Sequence, residues 1–368
     1  MGENQSNIHY YYRTVKDLRG NKILDFDDPE NILDCLNENV RKTFLSNPST
    51  LKDDDVCQII ALDGNKVVGS EMCFANRYLD GNDIHECYGH STLFVSEPYR
   101  KLMVGADLML QAASFRERQD NIVAGISQIA YPIYKAMRYG CFSFPRFIVL
   151  MKSRCVVESM FKSLGKSAIL ISKPIDLCLW LYRKAICQLV PNKQYKIEKV
   201  QATPIEVEEI VLQDDHRFKE LHDKKWFDWC LSYSFTANPE NSKYLNLVKE
   251  NNKIIAFYVV KVDFFAEVGS SSYKNIRLAT IAEWGIKKGC SLTESQLHLL
   301  ALKNIKENVD GVQIATTDNR VEKKYRKYCF FPMGIVNNAV YMNSIKDDEV
   351  KKKHNWRLRI AAGDTLIN

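Results

Sequence analysis

Apolar residues in the first part of the chain come in runs that a strand can use. Val56–Leu62 is one run, Asp63-Gly64-Asn65 a turn, and Lys66–Leu79 a second run. Asp-Gly between apolar runs predicts a β-hairpin, because a tight hairpin turn needs residues that tolerate positive φ. A second turn, Asp80-Gly81-Asn82-Asp83, leads into a third strand, His85–Val95. The period then changes. Val104, Leu108, Leu110, Ala112 and Phe115 fit one helical face, which predicts a helix over 104–118. A short buried strand over 122–127 follows, then a helix over 131–139 ended by Gly140, then two strands within 141–157. Residues 158–195 read as a helical connector. Its apolar stretch, Ala168–Val190, carries Lys173, Asp176, Arg183 and Lys184 and is broken by Pro174, so it predicts a packed amphipathic helix rather than a membrane span.

The same order then returns. Strands are predicted over 252–265 and 276–286, a helix over 293–307, a strand over 311–317, a helix over 321–328 and closing strands over 331–343. At an offset of 189 the two parts superpose without gaps. Leu108 falls on Leu297, Ala112 on Ala301, and Ile122–Ser127 on Gly311–Thr316. Lys135, Tyr139 and Phe142 fall on Lys324, Tyr328 and Phe331. The expected fold class is α/β (α+β): one unit duplicated in tandem, each copy a mixed, mostly antiparallel twisted sheet flanked by helices. The corresponding domains are 1–157, a connector 158–195, and 196–368.

One junction carries chemistry. The strand ending in Phe94-Val95 stops at Pro98, which cannot donate to a ladder, and a helix begins near Gly105. The N–H groups of Lys101, Leu102, Met103, Val104, Gly105 and Ala106 then face one way at the positive end of a helix, which suits an anion. Gly105 allows close approach to the backbone, and Arg100 and Lys101 add charge at the mouth. An ordinary strand–loop–helix junction has the same pattern.

Val95-x-x-Pro98-x-Arg100 followed by Gly105-Ala106 resembles motif A of the GCN5-related N-acetyltransferases (GNAT), Arg/Gln-x-x-Gly-x-Gly/Ala, with Met103 in place of the first glycine. Gly125-Ile126-Ser127, Tyr134 and Tyr139-Gly140-Cys141-Phe142 are similar to motif B, with a Tyr-to-Gly gap two residues longer. The resemblance covers most of 8–157 and returns without motif A over about 205–345. It implies acetyl-CoA (acyl-CoA) as co-substrate, bound by Phe94, Val95 and Arg100–Ala106 with its pyrophosphate on the backbone amides of the motif A loop, and transfer to an amine of a small molecule or amino sugar. Trp226-Phe227-Asp228-Trp229, Trp356-Arg357-Leu358 and Gly363-Asp364 resemble segments of the tandem members found with surface-polysaccharide synthesis.

Such chemistry needs a base for the amine, a donor for the oxyanion and an acid for the thiolate. Glu86 and His90 share a face of the strand 85–95 with Tyr88, Thr92 and Phe94, and are the candidate bases. The Val95 N–H is the candidate oxyanion donor, and Tyr134 the candidate acid. All of these also suit sheet or core residues. At the offset, Gly105 falls on Glu294, Arg100 on Gly289, His90 on Ala279 and Glu86 on Asn275. One coenzyme site, in the first half only, is therefore expected.

Composition removes other classes. Hydrophobic residues make up 46% and charged ones 26%, as in an ordinary globular protein. A net charge of +6 permits an anionic ligand without requiring nucleic acid. Eleven cysteines without any C-x-x-C suggest reduced thiols in a cytoplasmic protein and no metal. The start has no apolar signal region; Met1-Gly2-Glu3-Asn4-Gln5-Ser6 fits a loose lipidation pattern. Two other readings stay open: a Fem-type aminoacyl transferase on the same tandem fold, and a binding module that has lost the chemistry. Oligomeric state and acceptor identity are not legible.

Overall fold

The structure is a computed structural model and describes residues 7–33, 38–49, 52–114, 120–160, 167–190, 195–235, 238–267, 274–317, 319–327, 331–342, 344–345, 348–361 and 366. The lipidation pattern at 1–6, Phe115, Tyr328 and Gly363-Asp364 lie outside them. The first half runs β1 (Ile8–Thr14), α1 (Val15–Arg19), α2 (Glu38–Leu45), β2 (Val56–Asp63), β3 (Lys66–Asp80), β4 (Asp83–Val95), α3 (Glu97–Arg100), α4 (Val104–Ser114), β5 (Asp120–Val123), α5 (Tyr131–Ala136) and β6 (Gly140–Leu150). Helices α6 (Arg154–Met160) and α7 (Ala168–Cys187) follow. The second half runs β7 (Tyr195–Val200), α8 (Ile205–Leu212), β8 (Phe218–Glu220), α9 (Lys224–Ser232), β9 (Ser242–Glu250), β10 (Lys253–Glu267), β11 (Lys274–Ile286), α10 (Glu294–Asn304), β12 (Gly311–Ala315), α11 (Asn319–Lys327), β13 (Phe331–Tyr341) and β14 (Trp356–Arg357).

The mixed α/β class and the duplication hold. Shifted by 189, β4, α4, α5 and β6 land within a few residues of β11, α10, α11 and β13. Among the described residues all strands join one 14-stranded sheet, ordered β1-β2-β3-β4-β5-β13-β6-β12-β11-β10-β9-β7, with β8 and β14 at its side. Most pairs are antiparallel; β4–β5 and β11–β12 are parallel. The centre of that order is an exchange. β13 of the second half completes the first sheet beside β5, and β6 of the first half completes the second beside β12. The exchanged strands also pair with each other.

Local differences have physical causes. The helix after Ala130 ends at Ala136, with Arg138 just beyond its C-cap at φ 65, and Gly140 already begins β6. Where a second strand is expected after residue 150, Ser153 turns the chain: its N–H and hydroxyl both donate to Asp176 Oδ1, at 2.6 and 2.8 Å. Helix α7 continues through Pro174, since a single proline removes one hydrogen bond and the flanking turns carry the rest. Its packing is concentrated near its C-terminal end, where Ile186 and Cys187 join the core with Leu299 and Leu302. Leu170, Leu177, Trp180 and Leu181 are exposed. The aromatic segment 226–229 is buried under β10, and Trp356 is buried against Phe218.

Candidate active site

Among the described residues β4 and β5 pair at Cys87–Asp120 and Tyr88–Asn121 alone. Beyond these, β5 turns to β13, where Val123 pairs with Ala339 and the Ile126 N–H donates to Asn337 O. Two parallel strands that part in this way leave a cleft without any loss of core. β4 is bent on its far side by a bulge: Met72 faces Ser91 but Ser70 faces Phe94, and Thr92 takes φ 50. The bulge reverses the side-chain phase. Phe94 therefore does not continue the face of His90, as strict alternation predicts. It is 40% exposed, whereas Val95 packs on Val104 and Leu108.

The cleft has a volume of about 340 Å³. Glu71 from β3, His90 from β4, Met109 from α4, Tyr134 from α5 and the segment Val123–Ser127 line it. His90 Nε2 lies 3.0 Å from Asn121 Oδ1, and Nδ1 lies 3.2 Å from the Tyr134 hydroxyl and 3.5 Å from Glu71 Oε1. With Nε2–H donating to Asn121, Nδ1 accepts from Tyr134 when the ring is neutral and faces the Glu71 carboxylate when it is charged. Glu71 Oε2 is buried and has no hydrogen-bond partner. Burial, with Glu71 nearby, holds the Tyr134 hydroxyl well above its ordinary pKa, so it keeps a proton to give.

The predicted residues are not all brought together. His90 and Tyr134 meet in the cleft. Glu86 lies on the closed side of the split, exposed, 3.7 Å from Lys52 Nζ. Glu71 was missed: it lies in a buried run of β3 and carries no local signal of chemistry. Asn121, likewise unpredicted, orients the imidazole.

The N-terminus of α4 lies just past the end of β4. Among the described residues no backbone carbonyl accepts the N–H of Met103, Gly105 or Ala106. Met103 has φ 63. The side chain that replaces the motif's first glycine thus sits in a left-handed conformation that glycine adopts without strain, at a cost of about 1 kcal/mol. Gly105 has no such need, and a Cβ there would lie 3.4 Å from Val95 Cγ2, an ordinary contact. Arg100 folds back, its Nε donating to Val95 O at 2.9 Å. Lys101, Leu102 and Met103 are exposed, and Val104 is buried beneath them.

The equivalent place in the second half is shut. Thr293 caps α10, accepting from the Gln296 N–H, while Gln296 Oε1 accepts from the Thr293 N–H at 2.9 Å. Glu294 occupies the first turn. Behind it, His298 and Tyr325 are fully buried and hydrogen-bonded, with Trp284 edge-on to His298 at 4.5 Å. Among the described residues no cluster of His, Cys, Asp and Glu could hold a metal ion, and no helix is long and apolar enough to cross a membrane.

Solved structures place this architecture. Saccharomyces cerevisiae N-myristoyltransferase with bound myristoyl-CoA matches over 93% of this chain and 84% of its own, with a TM-score of 0.57 and 13% identity. A GCN5-related N-acetyltransferase from Anabaena variabilis matches over 92% and 73%, with a TM-score of 0.52 and 10% identity. A probable N-acyltransferase from Enterococcus faecalis matches over 91% and 72%, with a TM-score of 0.50 and 9% identity. At such identities the likeness is one of fold: the chain has a tandem GNAT-like fold. No family model and no curated protein matches it by sequence.

Proposed function

We propose that the chain is an acyl-CoA-dependent N-acyltransferase whose one coenzyme site lies in the first half. The observation that carries this reading is the split between β4 and β5, holding Glu71, His90 and Tyr134 beside an uncapped helix N-terminus. The pyrophosphate of the co-substrate suits the N–H groups of Met103–Ala106, with Lys101 adjacent. The thioester lies along β4 between His90 and Val95, where the Val95 N–H serves the oxyanion. His90 takes the proton from the attacking amine, and Glu71 stabilises the imidazolium. The C–N bond forms, the C–S bond breaks, and Tyr134 protonates the thiolate. Fold neighbours crystallised with myristoyl-CoA support acyl-CoA as co-substrate. An acetyl donor, a small amine or amino-sugar acceptor and a cytoplasmic site of action complete the proposal.

A coenzyme-binding module without turnover is the second reading, favoured by Met103 at the glycine position. Calorimetry with coenzyme A, then release of free thiol from acetyl-CoA in the presence of amines, separates them. Binding of one equivalent with turnover supports the enzyme; binding without turnover supports the module; no binding at millimolar coenzyme removes both.

A further inference from the structure

A second cavity, of about 400 Å³, opens on the other side of Ala124–Ser127, so one segment lines both cavities. It lies at the strand exchange. β6 supplies Arg146, β12 supplies Gln313, β13 supplies Asn337 and Asn338, and the tail after β14 supplies Arg359. Four polar atoms here are buried and without a hydrogen-bond partner: Arg146 Nε, Arg359 Nε, Gln313 Oε1 and Asn338 Nδ2. Buried polar groups are ordinarily satisfied, and here four unsatisfied ones lie on residues that line a single cavity.

The charge is one-sided. Among the described residues no carboxylate pairs with Arg146, and burial lowers its pKa. Arg359 is held over Trp284 at 4.0 Å, with Thr316 at 3.3 Å and Glu294 at 3.6 Å from Nη1. Glu294 thus offsets one of the two guanidiniums, and a net positive charge remains. Gly334 is at φ 123, and a Cβ there would lie 3.7 Å from Arg146 Nη2. Glycine keeps the space before that guanidinium clear. An acyl-CoA site of the second half is excluded here, because Thr293 and Gln296 close α10.

We infer that this cavity is the acceptor subsite, and that it selects acceptors carrying an oxyanion, carboxylate or phosphate, bound by Arg146 with Arg359 beside it. The amine end then reaches the first cavity past Gly125–Ser127. The assignment of the amine end rests on the acyltransferase reading; the anion site does not. The volume suits a small metabolite rather than a polymer.

The test titrates glucosamine 6-phosphate, glucosamine, glycylglycine and glycylglycinamide into the full chain without coenzyme, and coenzyme A separately. The anionic member of at least one pair should bind at least tenfold tighter than its neutral partner. Arg146→Gln should weaken that anionic probe about thirtyfold or more and leave coenzyme A unaffected, while Arg146→Lys restores part of the loss. Gln128→Glu adds a carboxylate at an exposed position of the same rim, where folding is not at stake, and should weaken anionic probes only. Preference in the phosphate pair alone, or in the carboxylate pair alone, identifies the oxyanion. Equal binding within both pairs, no binding of either anion, or anion binding unmoved by both Arg146→Gln and Gln128→Glu overturns the inference. Failure of coenzyme A to bind wild type removes the acyltransferase reading and leaves the anion result standing.

Discussion

The two halves share an element order and differ in what fills the split between their parallel strands. In the first, β4 and β5 part over a cleft lined by Glu71, His90 and Tyr134, and α4 begins with open N–H groups. In the second, His298, Tyr325 and Trp284 occupy the corresponding core, and α10 begins with its own capping box. Burial holds the His298 imidazole well below its ordinary pKa, so it is a neutral packing group. The same backbone split is thus either kept as a cleft or filled as a core. The choice rests on a few side chains at the strand ends and helix starts.

The largest effect expected from breaking this difference is at His90. His90→Gln should lower kcat by about 10²- to 10⁴-fold with little change in coenzyme affinity. Glu71→Gln should do nearly as much, and the double variant should cost less than the product of the two. Unchanged kcat in His90→Gln would remove it from the mechanism. Gly105→Glu copies Glu294 into the first half. It should fold, and coenzyme A affinity should fall about a hundredfold, because a carboxylate replaces an open anion site. Binding like wild type, measured by calorimetry, would remove the site from α4. Glu294→Gly should create no second site, because the Thr293 cap remains.

Legibility followed the same division. The hairpins, the order of elements and the repeat at 189 could be read because they depend on local period and turn chemistry. His90 and Tyr134 could be named because each stood near a motif. Glu71 could not, since it lies within a buried run of β3 that carries no motif, and only the cleft reveals its oxygen without a hydrogen-bond partner. The bulge at Thr92 was hidden because threonine is a poor residue for φ 50. The exchange of β6 and β13 was hidden because strand partners distant in sequence leave no mark in period.

The halves also differ in buried charge. The second half buries an arginine-centred ionic cluster: Arg357 Nη2 bonds Glu283 Oε1 at 2.5 Å, and His222 Nδ1 bonds Glu283 Oε2 at 2.6 Å. Arg357 and His222 draw Glu283 down to about 2, and the two carboxylates beside His222 raise its pKa. The Glu283 contribution is complete above its unfolded pKa of about 4.3 and is lost as pH falls towards 2. The His222 contribution is complete below about 6.5 and is lost as pH rises through its raised folded value. Urea unfolding from pH 2 to 9 should therefore give a maximum in the weakly acidic range. Glu283→Gln should flatten its acid limb and cost about 3–5 kcal/mol. An acid limb unmoved by the substitution would assign it to other carboxylates.

The smallest change is at Met103. Met103→Gly should relieve about 1 kcal/mol of backbone strain, partly offset by the greater freedom of glycine when unfolded. Coenzyme affinity should rise or stay level, and the melting temperature should move by a few degrees at most. A marked fall in either would mean that the thioether itself takes part in binding.

The strand exchange also orders events during synthesis. The free edge of β5, and the segment Gly125–Ile126 of the cleft wall that Asn338 and Asn337 hold by hydrogen bonds, wait for β13, more than 200 positions downstream of β5. Until that segment leaves the ribosome, a nascent first half carries an unpaired sheet edge beside a half-built cleft. Neither half completes its sheet alone, so maturation of the cleft is vectorial and late.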